Sequence, residues 1–131
     1  MPDSKERRAC KRIVIPDGRV YYKKQKRISF IQKYSGPVPM KDISKSGICF
    51  STNDTLQTGE IVLLEILLPG YDSIRLKGEI RWVNTNLSAG ATFTGLQFLP
   101  FGVKKHFNSL DSLNKLRSIT EQLENQTDLK N

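Results

Sequence analysis

The chain has no apolar run long enough to cross a bilayer. Its longest, Ile61 to Leu68, is interrupted by Glu65 and falls far short of the roughly 20 residues a membrane helix needs. The charged N-terminus lacks the ~7 to 15 apolar residues of a secretion signal. A cytoplasmic protein without membrane insertion is therefore expected. Histidine occurs once, at His106, and cysteine twice, at Cys10 and Cys49. A reducing compartment keeps such thiols free, and Cys49, between Ile48 and Phe50, is expected in the core. The chain contains no CxxC, HExxH, P-loop or GxSxG motif, so the common metal, nucleotide-hydrolysing and nucleophilic sites have no signature here. The acids are scattered and suggest no general acid/base pair. The expectation is a protein that is not an enzyme and carries no cofactor.

What is present is a single-domain length of 131 residues, enough to bury roughly two thirds of the unfolded surface. Its charge is unevenly placed. Residues 1–33 hold eleven Lys or Arg and three acids (11 − 3 = +8), whereas residues 34–131 hold ten of each (10 − 10 = 0). Such asymmetry fits either a solvated basic tail or an anion site for phosphate, nucleic acid or acidic lipid.

Residues 1–11 lack periodicity and are expected to form a flexible arm. Arg12 to Ile15 and Arg19 to Tyr22 are β-prone runs around the turn Pro16-Asp17-Gly18, predicting a hairpin or one bulged strand. Ser35-Gly36-Pro37-Val38-Pro39 reads as a breaker group. Strands are predicted at Pro39 to Ile43, Ile48 to Ser51, Ile61 to Leu68, Ile74 to Asn84 and Gly90 to Leu99, separated by turns at Ser44 to Gly47, Thr58 to Glu60 and Pro69-Gly70. Within Ile74 to Asn84, strict alternation puts Ile74, Leu76, Gly78, Ile80 and Trp82 on the inward face. Short strands without intervening helices predict an antiparallel barrel or sandwich. From about Val103, Phe107, Leu110, Leu113, Leu116, Ile119 and Leu123 recur at helical spacing. They cover an arc of roughly 180°, so this helix can pack on the barrel alone or also form a homodimer. His106 falls at its start. The expected division is an arm over 1–11, a barrel over 12–101 and a helix with its tail over 102–131.

Two motifs join the basic arm to the first turn. Arg8 and Arg12 form RxxxR, and Asp42, Ser44 and Gly47 form DxSxxG some thirty residues later. In this order and spacing they resemble the signatures of PilZ domains. Gly95-Leu96-Gln97-Phe98 is similar to that family's last-strand GxxF, and Ile80-Arg81-Trp82-Val83 to its apolar strand ending near a tryptophan. The resemblance covers about Arg7 to Phe98. It implies a six-stranded antiparallel β-barrel followed by an α-helix, binding the bacterial second messenger cyclic di-GMP. It also implies a signal passed to a protein partner that the sequence does not name.

The ligand's chemistry suits these residues. Arg8 and Arg12 can fork onto phosphate or guanine edges and stack on planar groups. Asp42 can accept from guanine N–H groups, and Ser44 can donate to or accept from phosphate or base. Gly47 fits a position needing positive φ or room for a purine. Lys11, Lys45, Ser46 and Gly95 are further candidates. Arg7 makes the run RRxxxR, and among PilZ proteins of this pattern the extra arginine is associated with an intercalated ligand dimer. Two alternatives stay open. A degenerate PilZ module would bind protein only. A basic barrel would bind single-stranded nucleic acid through Tyr21, Tyr22, Phe30 and Tyr34 interleaved with Lys23, Lys24, Lys26, Arg27 and Lys33.

Overall fold

The computed structural model describes residues 12–25, 33–86 and 91–130. Six strands, β1 (Arg19–Lys24), β2 (Ser35–Ile43), β3 (Gly47–Thr52), β4 (Ile61–Leu67), β5 (Ile74–Asn86) and β6 (Ala91–Phe98), precede one helix, α1 (Leu110–Lys130). The strands close into a barrel in the order β1-β2-β3-β6-β5-β4, each neighbour antiparallel. Closure leaves none of these six strands with a free edge for mispairing. The expected fold class is the observed one.

Alternation explains the interior. On β4, Val62, Leu64 and Ile66 are buried, whereas Ile61, Leu63, Glu65 and Leu67 are half-buried on the outer face. Val20, Ile43, Phe50, Ile74, Leu76 and Ile80 complete the centre of the same cluster. Each such side chain contributes roughly 1.5–3 kcal/mol of burial. α1 seats Leu116 and Ile119 in this cluster, with Leu123 partly buried beside it. Leu110 stays 49% exposed, so the widest part of the predicted apolar arc is not covered.

Three local expectations are corrected. Residues 12–15 make no hairpin with β1, because both edges of β1 are taken by β2 and β4. Ile13 alone is paired, through two hydrogen bonds with Ile43 of 2.8 and 2.9 Å. The presumed breaker Ser35 to Pro39 is the first half of β2. Its prolines are tolerated beside the register shift between Val20 and Tyr22, since a bulge removes the demand for a ladder N–H. The helix begins at Leu110 rather than near Val103, and His106 is exposed on the loop before it.

Asn108 sets that start. Its Oδ1 accepts from the Lys77 N–H at 2.7 Å, and its Nδ2 donates to the carbonyls of Lys77 and Leu99, each at 3.0 Å. The loop is thereby tied to β5 and to the end of β6. Ser109 then caps α1, its Oγ accepting from the Ser112 N–H at 3.0 Å as an N-cap serine does.

Candidate functional site

The register brings one lateral row of residues together across four strands. Asp42 on β2 faces Cys49 on β3, Cys49 faces Gly95 on β6, and Gly95 faces Trp82 on β5. The next row, Ile43, Ile48, Leu96 and Ile80, is buried in the core, so the first row lies on the outer face. Small residues at its middle leave a hollow between Asp42 and Trp82.

Strict alternation would have buried Trp82 with Ile80. A register shift between Ile80 and Trp82 turns the indole outward instead, where it is 37% exposed. The indole occupies the space above Gly95, where a Cβ would lie 2.1 Å from Trp82 Cε2. Gly95 is thus a close-approach glycine.

Arg12 reaches the row from the other side. The Ile13–Ile43 bridge fixes the chain at this point, and Arg12 Nη1 lies 3.7 Å from Asp42 Oδ1. Asp42 is almost fully buried. Cys49 beneath it is 1% exposed but is not a member of the barrel core cluster, because it points to the outer face. Burial, and secondarily the charge of Asp42, push its thiol pKa up to about 11.

The turn itself is held by Ser44. Its Oγ accepts from the N–H groups of Ser46 and Gly47 at 3.2 and 3.3 Å, and its own N–H donates to the Gly47 carbonyl at 2.9 Å. Ser44 therefore shapes the loop as well as lining the site. Gly47 does not have positive φ. A Cβ there would lie 2.2 Å from the Leu96 carbonyl oxygen, so it is glycine because β6 passes so close.

These residues line a cavity of about 270 Å³. Of the candidates from sequence, Arg12, Asp42, Ser44, Ser46, Gly47 and Gly95 contribute to it. Lys45 does not. Its Nζ lies 3.6 Å from Glu121 of α1. Arg7, Arg8 and Lys11 lie outside the described residues. The walls also include Arg81, Trp82 and Gln97, which sequence reasoning did not select. Gly95 inside a strand was the available sign of a bulky neighbour, but only the bulge identifies Trp82 as that neighbour.

Guanidinium groups at Arg12 and Arg81, a carboxylate and an exposed indole suit a planar, anionic molecule with ring N–H donors. Among the described residues, no three His, Cys, Asp or Glu side chains converge on a metal position, and no helix is long and apolar enough to cross a membrane. The aromatics of the nucleic-acid alternative are dispersed. Tyr22 is buried, donating to Asp54 Oδ2 at 2.5 Å and paired with the Thr52 hydroxyl, while Tyr34 is covered by Lys23 Nζ, 4.6 Å from its ring centre. Phe30, Lys26 and Arg27 lie outside the described residues.

The PilZ domain family matches residues 6–118. Among solved structures, the chain is similar to MrkH of K. pneumonia in complex with c-di-GMP (TM-score 0.70, 18% identity, 95% of this chain and 54% of that one). It is also similar to YcgR of Escherichia coli in complex with c-di-GMP (0.68, 17%, 95% and 49%) and to the Bacillus subtilis inhibitor of motility MotI/DgrA (0.61, 19%, 89% and 52%). It spans about half the length of each. Among curated proteins, none matches the chain. The family match over most of the sequence, on a six-stranded barrel whose Asp42–Gly47 turn faces Arg12, establishes that this chain belongs to the PilZ domain family.

Proposed function

We propose that the chain is a non-enzymatic receptor for cyclic di-GMP, bound at the cavity between Arg12, Asp42 and Trp82. The observation that carries this reading is the convergence of the last arginine of RxxxR and the DxSxxG turn on one hollow, within a family two of whose solved members carry this ligand. Arg12 and Arg8 are the phosphate and guanine clamps, Asp42 accepts from a guanine edge, and Trp82 offers a face for stacking. Ser44 and Gly47 keep the turn in shape, and Ser46 stands at its exposed rim.

The magnitudes close. Micromolar affinity needs about 8 kcal/mol. Three or four charge-assisted hydrogen bonds at roughly 1.5–3 kcal/mol each, with stacking at ~1–3 kcal/mol per base, reach about 12 kcal/mol at mid-range, which leaves enough to order roughly two to four residues beside Arg12 at ~1–2 kcal/mol each.

The arginines of residues 1–11, a segment outside the described residues, fold onto the barrel when ligand arrives, with Lys11 adding charge. The altered surface is then read by a protein partner. Arg7 extends the clamp so that two ligand molecules bind per chain. Isothermal titration with cyclic di-GMP tests both points: no binding overturns the receptor, and a stoichiometry of one overturns the dimer alone. Hydrogen exchange over residues 1–15 that is unchanged by ligand would remove the switch.

A further inference from the structure

A second hollow, of about 300 Å³, lies on a different part of the barrel and takes no part in the site described above. It is lined by Tyr34, Leu63, Arg75, Lys77, Phe107 and Asn108, where the loop before α1 meets the outer face of β4 and β5. Its shape is fixed. Asn108 spends its side-chain amide on Lys77 and Leu99, and the loop closes on itself through Gly102 N–H to the Asn108 carbonyl and Phe107 N–H to the Lys104 carbonyl, at 2.9 and 3.0 Å.

The surroundings are cationic. Lys77, Lys104 and Lys105 have no carboxylate partner among the described residues, whereas Arg75 is paired with Glu65 at 3.2 Å and Asp111 with Lys115 at 3.9 Å. Lys104 and Lys105 are exposed, beside Val103 at the loop tip. An apolar recess with Lys77 in its wall, Lys104 over its Phe107 and Lys105 next in the chain has the anatomy of an anchor pocket for a protein segment.

We infer that this hollow docks an acidic protein segment that inserts one leucine- or phenylalanine-sized side chain between Leu63 and Phe107, its carboxylates meeting Lys77, Lys104 and Lys105. Charge complementarity and the recess together select this occupant. A nucleic acid would need open ring faces on which to stack, and both rings here are covered by ammonium groups, Tyr34 by Lys23 at 4.6 Å and Phe107 by Lys104 at 5.5 Å. A carboxylate can draw those lysines aside without needing the rings.

The test is a titration of the isotope-labelled full chain, followed by NMR, with a synthetic peptide of glutamates flanking one central leucine, and with the same peptide carrying serine at the centre. The expected result is amide shifts confined to the neighbourhoods of Leu63, Lys77 and Phe107. The leucine peptide should bind at least tenfold tighter than the serine peptide, and Lys77→Glu with Lys104→Glu should weaken it at least tenfold. Cyclic di-GMP titration of that double variant should match the parent, which also shows that the fold is intact. Equal binding of the two peptides, shifts elsewhere on the barrel, or tighter binding of oligothymidylate or of phosphatidylglycerol vesicles at this surface would each overturn the inference. A failed cyclic di-GMP titration of the parent chain would overturn only the ligand reading.

Discussion

The two halves of β5 present different faces to solvent. From Ile74 to Ile80 the strand alternates without interruption, and its outward residues, Arg75, Lys77 and Glu79, are long, charged and solvated above a continuous apolar interior. Beyond Ile80 one extra residue breaks the alternation, and Arg81 and Trp82 are both delivered to the outside next to a glycine. The first half is what alternation makes from a strand. The second half lines the candidate site, because a bulge exposes a large aromatic surface that burial would otherwise have claimed. The first half acquires its own recess only by an addition from elsewhere in the chain, the loop held on by Asn108.

That contrast can be broken at each end. The largest effect is expected from Asn108→Ala, which strands the Lys77 N–H and the Leu99 carbonyl and leaves the Lys77 carbonyl with the Leu99 N–H alone. Thermal or denaturant unfolding should show a loss of about 3 kcal/mol, while cyclic di-GMP affinity changes less than threefold because the other half of β5 is untouched. A matching loss of affinity would show that the two halves are not separate. Arg12→Ala should cost about 2 kcal/mol of binding, some thirtyfold in Kd, with little loss of fold, since the Arg12–Asp42 pair is partly exposed. Trp82→Ala should weaken binding by about 1.5 kcal/mol, roughly tenfold. Unchanged affinity in that variant would reduce the bulge to a structural irregularity.

The smallest effect sharpens the row beneath the site. The thiol of Cys49 is raised to about 11 and the phenol of Tyr22 to about 12, by burial first and then by Asp54. Both groups are neutral at lower pH and bind their protons more tightly when folded. The unfolded chain therefore releases protons first, and this part of the stability, complete below about pH 9, declines as pH rises through 9 to 12. At pH 10 the loss is on the order of 1–2 kcal/mol. Unfolding curves of Cys49→Ala should fall less steeply with pH than those of the parent. An identical slope would place the titration elsewhere.

Much of this was legible before any coordinates. The buried residues of β4 and the first half of β5 follow from period-two alternation, and the DxSxxG turn follows from its short polar residues and glycine. The errors share a cause. Arg12 to Ile15 has the composition of a strand, but both edges of β1 were occupied. Val103 to Phe107 continues a helical spacing, but Asn108 satisfies the β5 backbone and Ser109 supplies the cap, so the helix starts later. Each is a competition for hydrogen bonds among distant segments, which local composition does not contain.

By itself the sequence determined the barrel's apolar faces, the apolar stripe of α1 and the residues from which a ligand turn could be built, because those depend on the chemistry of near neighbours. Only the tertiary structure decided that Asp42, Cys49, Gly95 and Trp82 form one row, that Arg12 meets it, and that Lys45 is drawn to Glu121 instead. Register does this: a one-residue shift on β5 exchanges inside for outside, and that shift is fixed by the pairing of β5 with β6.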